Sequence, residues 1–134
     1  MDTSAFLAQI DRNDRHYAEA GIILDKLLQG HYRLFTTMYV VAETHASILR
    51  AMNPRAGRQF LVEGLEGLAL LPTTSEDEEH ARVLILQRHD KDYSLCDAIS
   101  FGVMQRLGLY LAFAFDGHFR QHGFSTPIGQ TNWP

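Results

Sequence analysis

Short apolar runs alternate with helix-length segments along this chain, and that alternation constrains the fold more than any other feature. Leu68-Ala69-Leu70-Leu71 and residues 109–115 are continuous apolar stretches, the pattern of parallel strands covered on both faces. Leu34-Phe35-Thr36 is a weaker strand signal. Between and around them lie helix patterns over residues 15–29, 38–52, 54–66, 75–89 and 95–107. Asp14, Thr37, Ser75 and Ser94 stand where N-caps belong. Gly30, Asn53-Pro54 and Gly108 stand where helices stop. Asp116-Gly117-His118-Phe119 then turns the chain, and residues 125–134 read as an irregular tail. Strands separated by helices predict a parallel α/β sheet flanked by helices. At 134 residues the chain is expected to form one domain, 1–134. Sites in such sheets form at the carboxyl ends of the strands, so acids placed there carry the most weight.

Composition removes several classes. An apolar fraction of 46% supports a core without disulfides or structural metal. The single Cys96 excludes an internal disulfide, a zinc ribbon and Cys-x-x-Cys redox chemistry, and is compatible with a reducing cytoplasm. Residues 109–115, the longest apolar run, fall far short of the ~18 residues of a membrane span. No basic leader precedes them, so a soluble, cytoplasmic protein with no membrane partner is expected. The net charge of -4 argues against attachment to nucleic acid by bulk charge alone. Ten of the twelve basic residues are Arg, the side chain suited to bidentate phosphate contact, although genomic composition is the better explanation of such a skew.

Four carboxylates draw attention. Asp2 opens Asp2-Thr3-Ser4, Glu43 lies among Val40, Val41, Ala42 and Ala46, Asp97 follows Ser94-Leu95-Cys96, and Asp116 directly follows the last apolar run. Each has an ordinary reading: Asp2 and Asp97 as helix-capping acids, Asp116-Gly117 as a turn. Glu43 is the hardest to explain that way, since a Glu in apolar surroundings needs a partner. Clustered carboxylates suit Mg²⁺ or Mn²⁺, hard cations that prefer oxygen ligands and support phosphodiester hydrolysis. Ser47 and Arg50 follow Glu43 on the same helix face, which makes Arg50 a candidate RNA-phosphate ligand; a solvated helix end is the alternative. His118 and His122 read as surface or packing residues, Thr3 and Ser4 as supports for Asp2, and Cys96, Phe101, Phe115 and Phe119 as core.

Together Asp2-Thr3-Ser4-Ala5-Phe6, Val40-Val41-Ala42-Glu43-Thr44, the segment from Tyr93 to Phe101, and Ala114-Phe115-Asp116-Gly117-His118-Phe119 resemble the PIN-domain family, and within it the VapC-type toxins. The resemblance spans nearly the whole chain. It implies a three-layer α/β/α fold with a central parallel sheet, and a Mg²⁺- or Mn²⁺-dependent endoribonuclease in which a metal-bound water attacks phosphorus. It further implies a homodimer silenced by a cognate antitoxin. The family's metal-binding and catalytic acids carry over to Asp2, Glu43, Asp97 and Asp116, with Ser4 and Ser94 in support. Two departures stand out. Family members place an apolar strand before the first Asp, in the middle of the sheet, whereas only Met1 precedes Asp2 here, so the first central strand is expected to be missing from this chain. Cys96 stands where relatives often carry a hydroxyl residue.

Other acidic-pocket folds fit less well. A receiver-like phosphoacceptor needs a lysine after its last strand, where neither Lys26 nor Lys91 lies. A haloacid-type phosphatase needs Asp-x-Asp, which Asp2-Thr3-Ser4 does not supply. A catalytically impaired PIN-like scaffold is the remaining alternative.

Overall fold

The computed structural model describes residues 1–128, 130 and 132–134. Its centre is a parallel pair of strands, β1 (Leu34–Thr37) and β2 (Leu68–Leu71), in the register Leu34↔Leu68 to Thr37↔Leu71. Helices surround them: α1 (Thr3–Ile10), α2 (Tyr17–Gln29), α3 (Met38–Ala51), α4 (Pro54–Glu63), α5 (Ser75–Gln87), α6 (Leu95–Arg106) and the short α7 (His118–Gln121).

The predicted helices are present, and local chemistry sets their ends. Thr37 is at once the last residue of β1 and the N-cap of α3, its hydroxyl accepting the Val40 N–H. Asn53 caps α4, with Pro54 in its first turn. Two caps differ from expectation. Thr74, not Ser75, caps α5, because Asp77 three residues on completes its capping box. His16, not Asp14, is the N-cap of α2, and Asp14 instead accepts the His16 N–H. Helix α1, which the sequence reading did not contain, starts from Asp2, whose carboxylate accepts the Ser4 N–H.

Two strand expectations need correction. Leu70 is 46% exposed, so β2 is not buried on both faces: it pairs only with β1 and has an open side. Residues 109–115 form no continuous strand, only a single parallel bridge from Leu111 to Ser125. They are nevertheless extended in effect. Ala112 and Ala114 pack on the side of Phe101 and Phe119, while Phe113 and Phe115 pack on the opposite side with α1, α2 and Trp133. That is strand alternation without a strand ladder. Met1 donates its terminal N–H to Phe35 O at 2.7 Å on the β1 side, and Asp2 donates N–H to Phe113 O at 3.0 Å on the other. Met1–Asp2 thus ties β1 to residues 109–115, in keeping with a three-layer α/β/α architecture.

Candidate active site

The site lies where three chain segments end against one another: Met1–Asp2 entering α1, the N-terminus of α6, and the turn after residues 109–115. Asp2 is buried, and its Oδ2 accepts both the Ser4 N–H at 3.0 Å and the Ser4 hydroxyl at 2.8 Å. The Ser4 Oγ in turn accepts the Phe115 N–H at 3.0 Å. One serine therefore fixes Asp2 against the segment that delivers Asp116. Ser94 and Asp97 form a reciprocal capping box: the Asp97 N–H donates to Ser94 Oγ and the Ser94 N–H to Asp97 Oδ2, both at 3.0 Å. Capping does not exhaust Asp97, since Oδ2 also meets His118 Nδ1 at 2.8 Å. Asp116 Oδ1 accepts the His118 N–H at 3.0 Å, and the other ring nitrogen of His118 lies 3.3 Å from Asp92.

Asp97, Asp116 and His118 each offer a ligand atom within 4.8 Å of the others. Asp2 stands near enough that its charge helps raise the Asp116 carboxyl. Glu43 lies on the adjoining face. Its Oε2 accepts the Thr3 hydroxyl at 2.7 Å, and its charge helps raise the Cys96 thiol. The structure thus brings Asp97 and Asp116 together with His118, with Asp2 close by; Glu43 lies outside that group and is tied to Thr3.

Crowding shows in the protonation equilibria. Burial, then the charges of Asp2 and Asp97, push the Asp116 carboxyl up to about 7. Asp97 is raised by burial and by Asp2, against the lowering effect of the Ser94 N–H. Burial first, and then Glu43 and Asp2, raise the Cys96 thiol, which is inert as a nucleophile. Burial pulls His118 down, but its bond to Asp97 and the charges of Asp97, Asp116 and Asp92 outweigh it, so its pKa is raised.

The donor set tests whether a cation fits. Asp2 Oδ1 is a buried carboxylate oxygen with no partner among the described residues, which a native fold rarely tolerates. Beside it stand two carboxylates with raised pKa values. An oxygen-rich pocket of this kind fits a divalent cation; the one imidazole beside it widens the choice toward Mn²⁺.

The supporting residues fall as follows. Ser4 bonds Asp2 and Ser94 bonds Asp97. Thr3 serves Glu43, where a role toward Asp2 was expected. Cys96, Phe101, Phe115 and Phe119 are buried. Arg50 is exposed on α3, its Nη2 donating to Ser47 Oγ at 3.0 Å. His122 stacks on Phe101, a packing role as expected. His118 is the correction: it lies in the acidic pocket and not merely on the surface. The only available signal was its position two residues after Asp116.

This fold and pocket define a PIN domain. Residues 1–125 match the PIN domain family, and the chain belongs to it. It is 34% identical over 92 residues to the 23S rRNA-specific endonuclease VapC20 of Mycobacterium tuberculosis, covering 68% of this chain and 70% of that protein. The crystal structure of the same relative, described as a sarcin-ricin loop cleaving toxin, superposes with a TM-score of 0.80. That match covers 92% of this chain and 94% of the other at 27% identity. The chain is thus a homologue of VapC-type toxin endonucleases.

Proposed function

We propose that this chain, as a single PIN-like domain over 1–134, is a divalent-metal-dependent endoribonuclease and the toxin of a toxin–antitoxin pair. The observation that carries the reading is the half-buried group of Asp97, Asp116 and His118, crowded by the charge of Asp2, whose Oδ1 has no partner among the described residues. Asp2, Asp97 and Asp116 hold a Mg²⁺ or Mn²⁺ ion, with Glu43 closing the adjoining side. When bound, the ion neutralises the acids, polarises the scissile phosphate and lowers the pKa of attacking water.

The protein's own residues then do three things. Ser4 and Ser94 keep the Asp2 and Asp97 carboxylates from rotating, so ligand geometry precedes binding. Glu43, held by Thr3, lies where it can accept a proton from water entering the pocket. Arg50, on the same helix as Glu43, meets the RNA backbone as a phosphate ligand.

The relatives' activity supports large-subunit ribosomal RNA as the first substrate to assay. An antitoxin partner, a homodimer and a cytoplasmic setting belong to the same proposal. No described helix is long and apolar enough to cross a membrane. The test is cleavage of total RNA, with ribosomal RNA mapped by primer extension, in Mg²⁺, Mn²⁺ or chelator. Defined fragments that vanish with chelator are expected. Intact RNA under every metal condition would instead favour the impaired scaffold.

A further inference from the structure

The segment that joins α1 to α2, Asp11-Arg12-Asn13-Asp14-Arg15-His16, is fixed against the acidic pocket from a side that none of the acids uses. The His16 ring stacks on Phe115, with centroids 4.5 Å apart and planes 15° from parallel. Phe115 directly precedes Asp116, and its N–H is held by Ser4 Oγ, the same oxygen that bonds Asp2. Phe115 packs on the α1 and α2 side of residues 109–115, while Phe101 of α6 and Phe119 of α7 pack on the other. Arg15 and His16 thus approach the Phe115–Asp116 end from α2, and Asp97 and His118 approach it from α6 and α7. We propose that Arg15, given the ribonuclease reading on which this rests, binds the phosphate next to the scissile one in the RNA strand.

The hydrogen bonds around His16 show how the guanidinium is presented. Arg15 Nε donates to His16 Nε2 at 3.0 Å. An arginine nitrogen only donates, so His16 Nε2 carries no proton and the ring is the neutral tautomer with its proton on Nδ1. That Nδ1–H donates to Glu19 Oε2 at 3.1 Å, and the His16 backbone N–H donates to Asp14 Oδ1 at 2.7 Å. The two nearest acids in sequence therefore bond His16, and among the described residues Arg15 has no acidic partner. Its Nε is anchored to a ring that is itself stacked, while the two terminal nitrogens stay free on an exposed side chain. Those nitrogens form the fork that phosphate oxygens match. Anchoring one end of the guanidinium removes rotamer freedom before RNA arrives, which lowers the cost of binding. The acids and their cation take the scissile phosphate. A charge held on the opposite flank of Asp116 meets the neighbouring phosphate and fixes the register of the strand over the acids.

The experiment uses the full chain and an RNA oligonucleotide spanning the cut mapped on ribosomal RNA, with a methylphosphonate replacing one flanking linkage at a time. Steady-state cleavage in Mn²⁺ is compared for the parent, Arg15→Ala, Arg15→Lys and His16→Phe. In the parent, the uncharged linkage adjoining the cut should raise KM about 10-fold with kcat nearly unchanged. Arg15→Ala should show the same loss on unmodified RNA and lose nothing further at that linkage. Arg15→Lys keeps the charge without the fork and should recover only part of the loss. His16→Phe keeps a ring on Phe115 but removes the acceptor; it should raise KM about 3-fold when Arg15 is present and have no effect in the Arg15→Ala background. A parent and an Arg15→Ala variant with the same linkage profile overturn the phosphate contact while the nuclease reading stands, as does a loss confined to kcat. RNA left intact by the parent in every metal overturns the nuclease reading, and the contact with it.

Discussion

Two aspartates occupy the same local motif and reach opposite electrostatic states. Asp77 and Asp97 each sit three residues after a hydroxyl N-cap, Thr74 or Ser94, and each closes a reciprocal capping box. Both are buried. Asp77 meets Arg106, whose Nε and Nη2 bond its carboxylate at 2.9 to 3.2 Å, and this pairing lowers its pKa. Asp97 meets Asp2, Asp116 and His118, and its pKa is raised by burial and by Asp2. The backbone motif is thus a constant, and the tertiary partner decides the role. A carboxylate with its own guanidinium is a structural tie. One crowded by other carboxylates holds unfavourable energy that a cation can relieve.

The strongest way to break that contrast is to neutralise each acid in turn. Asp97→Asn keeps a capping side chain but removes a charge from the pocket. RNA cleavage should fall by at least on the order of 100-fold, with Mn²⁺ affinity falling too, while the metal-free thermal midpoint stays level or rises. Asp77→Asn should do the reverse. Cleavage stays within a few-fold of the parent, and stability drops by about 1–2 kcal/mol as charge-assisted bonds are lost. Circular dichroism melts and a gel assay on the two variants read this directly. Equal activity loss in both would erase the distinction.

The sequence made the Ser94–Asp97 cap visible, because a capping box is a local pattern, but put the start of α5 at Ser75 and not at Thr74. It could not say that Arg106, 29 residues beyond Asp77, folds back onto it, nor that α7 swings His118 onto Asp97 across 21 residues. The same boundary separates the successes and failures in the fold. Thr37 and Ser94 were readable as caps from a few neighbours. Residues 109–115 were readable as extended and two-faced, but their ladder depends on a partner elsewhere in the chain. Leu70 belongs to a continuous apolar run, yet its exposure follows from β2 lying at an edge, which four residues cannot report. Helix α1 escaped because Asp2-Thr3-Ser4 serves two purposes, and the acid drew the reading away from the cap.

The pocket's side of the contrast also predicts a pH response. Asp116 has a folded pKa of about 7 against an ordinary value of 3.8. The folded state therefore holds this proton more tightly than the unfolded chain between those values. Metal-free stability from this group declines as pH rises from about 4 to about 7. Asp97, also raised, acts in the same direction. So does His118, whose raised pKa contributes stability that is lost as pH climbs through its folded value. The thermal midpoint of chelator-treated protein should therefore be several degrees lower at pH 8 than at pH 5.5. Millimolar Mn²⁺ should reverse that order, since deprotonated acids bind the ion best. A metal-free midpoint that rises over this interval would contradict the crowded-pocket reading.

The smallest effect concerns the arginines, and it extends the comparison from acids to their counter-ions. Arg106 is committed: it bonds Asp77 and also Pro72 O at 3.1 Å. Arg50 is exposed, and its described partner, the Ser47 hydroxyl, is neutral. A guanidinium bonded to a neutral group keeps its charge available to a phosphate, seven residues along the helix from Glu43. Arg50→Ala should weaken RNA binding about 3- to 10-fold and reduce the salt dependence by about one ion. Cleavage at saturating RNA and the thermal midpoint should barely move, because neither the acids nor the core touch this side chain. Filter binding across a salt series separates this from a structural role. An unchanged salt slope would return Arg50 to the solvated helix end and leave the acidic pocket to bind RNA through its cation alone.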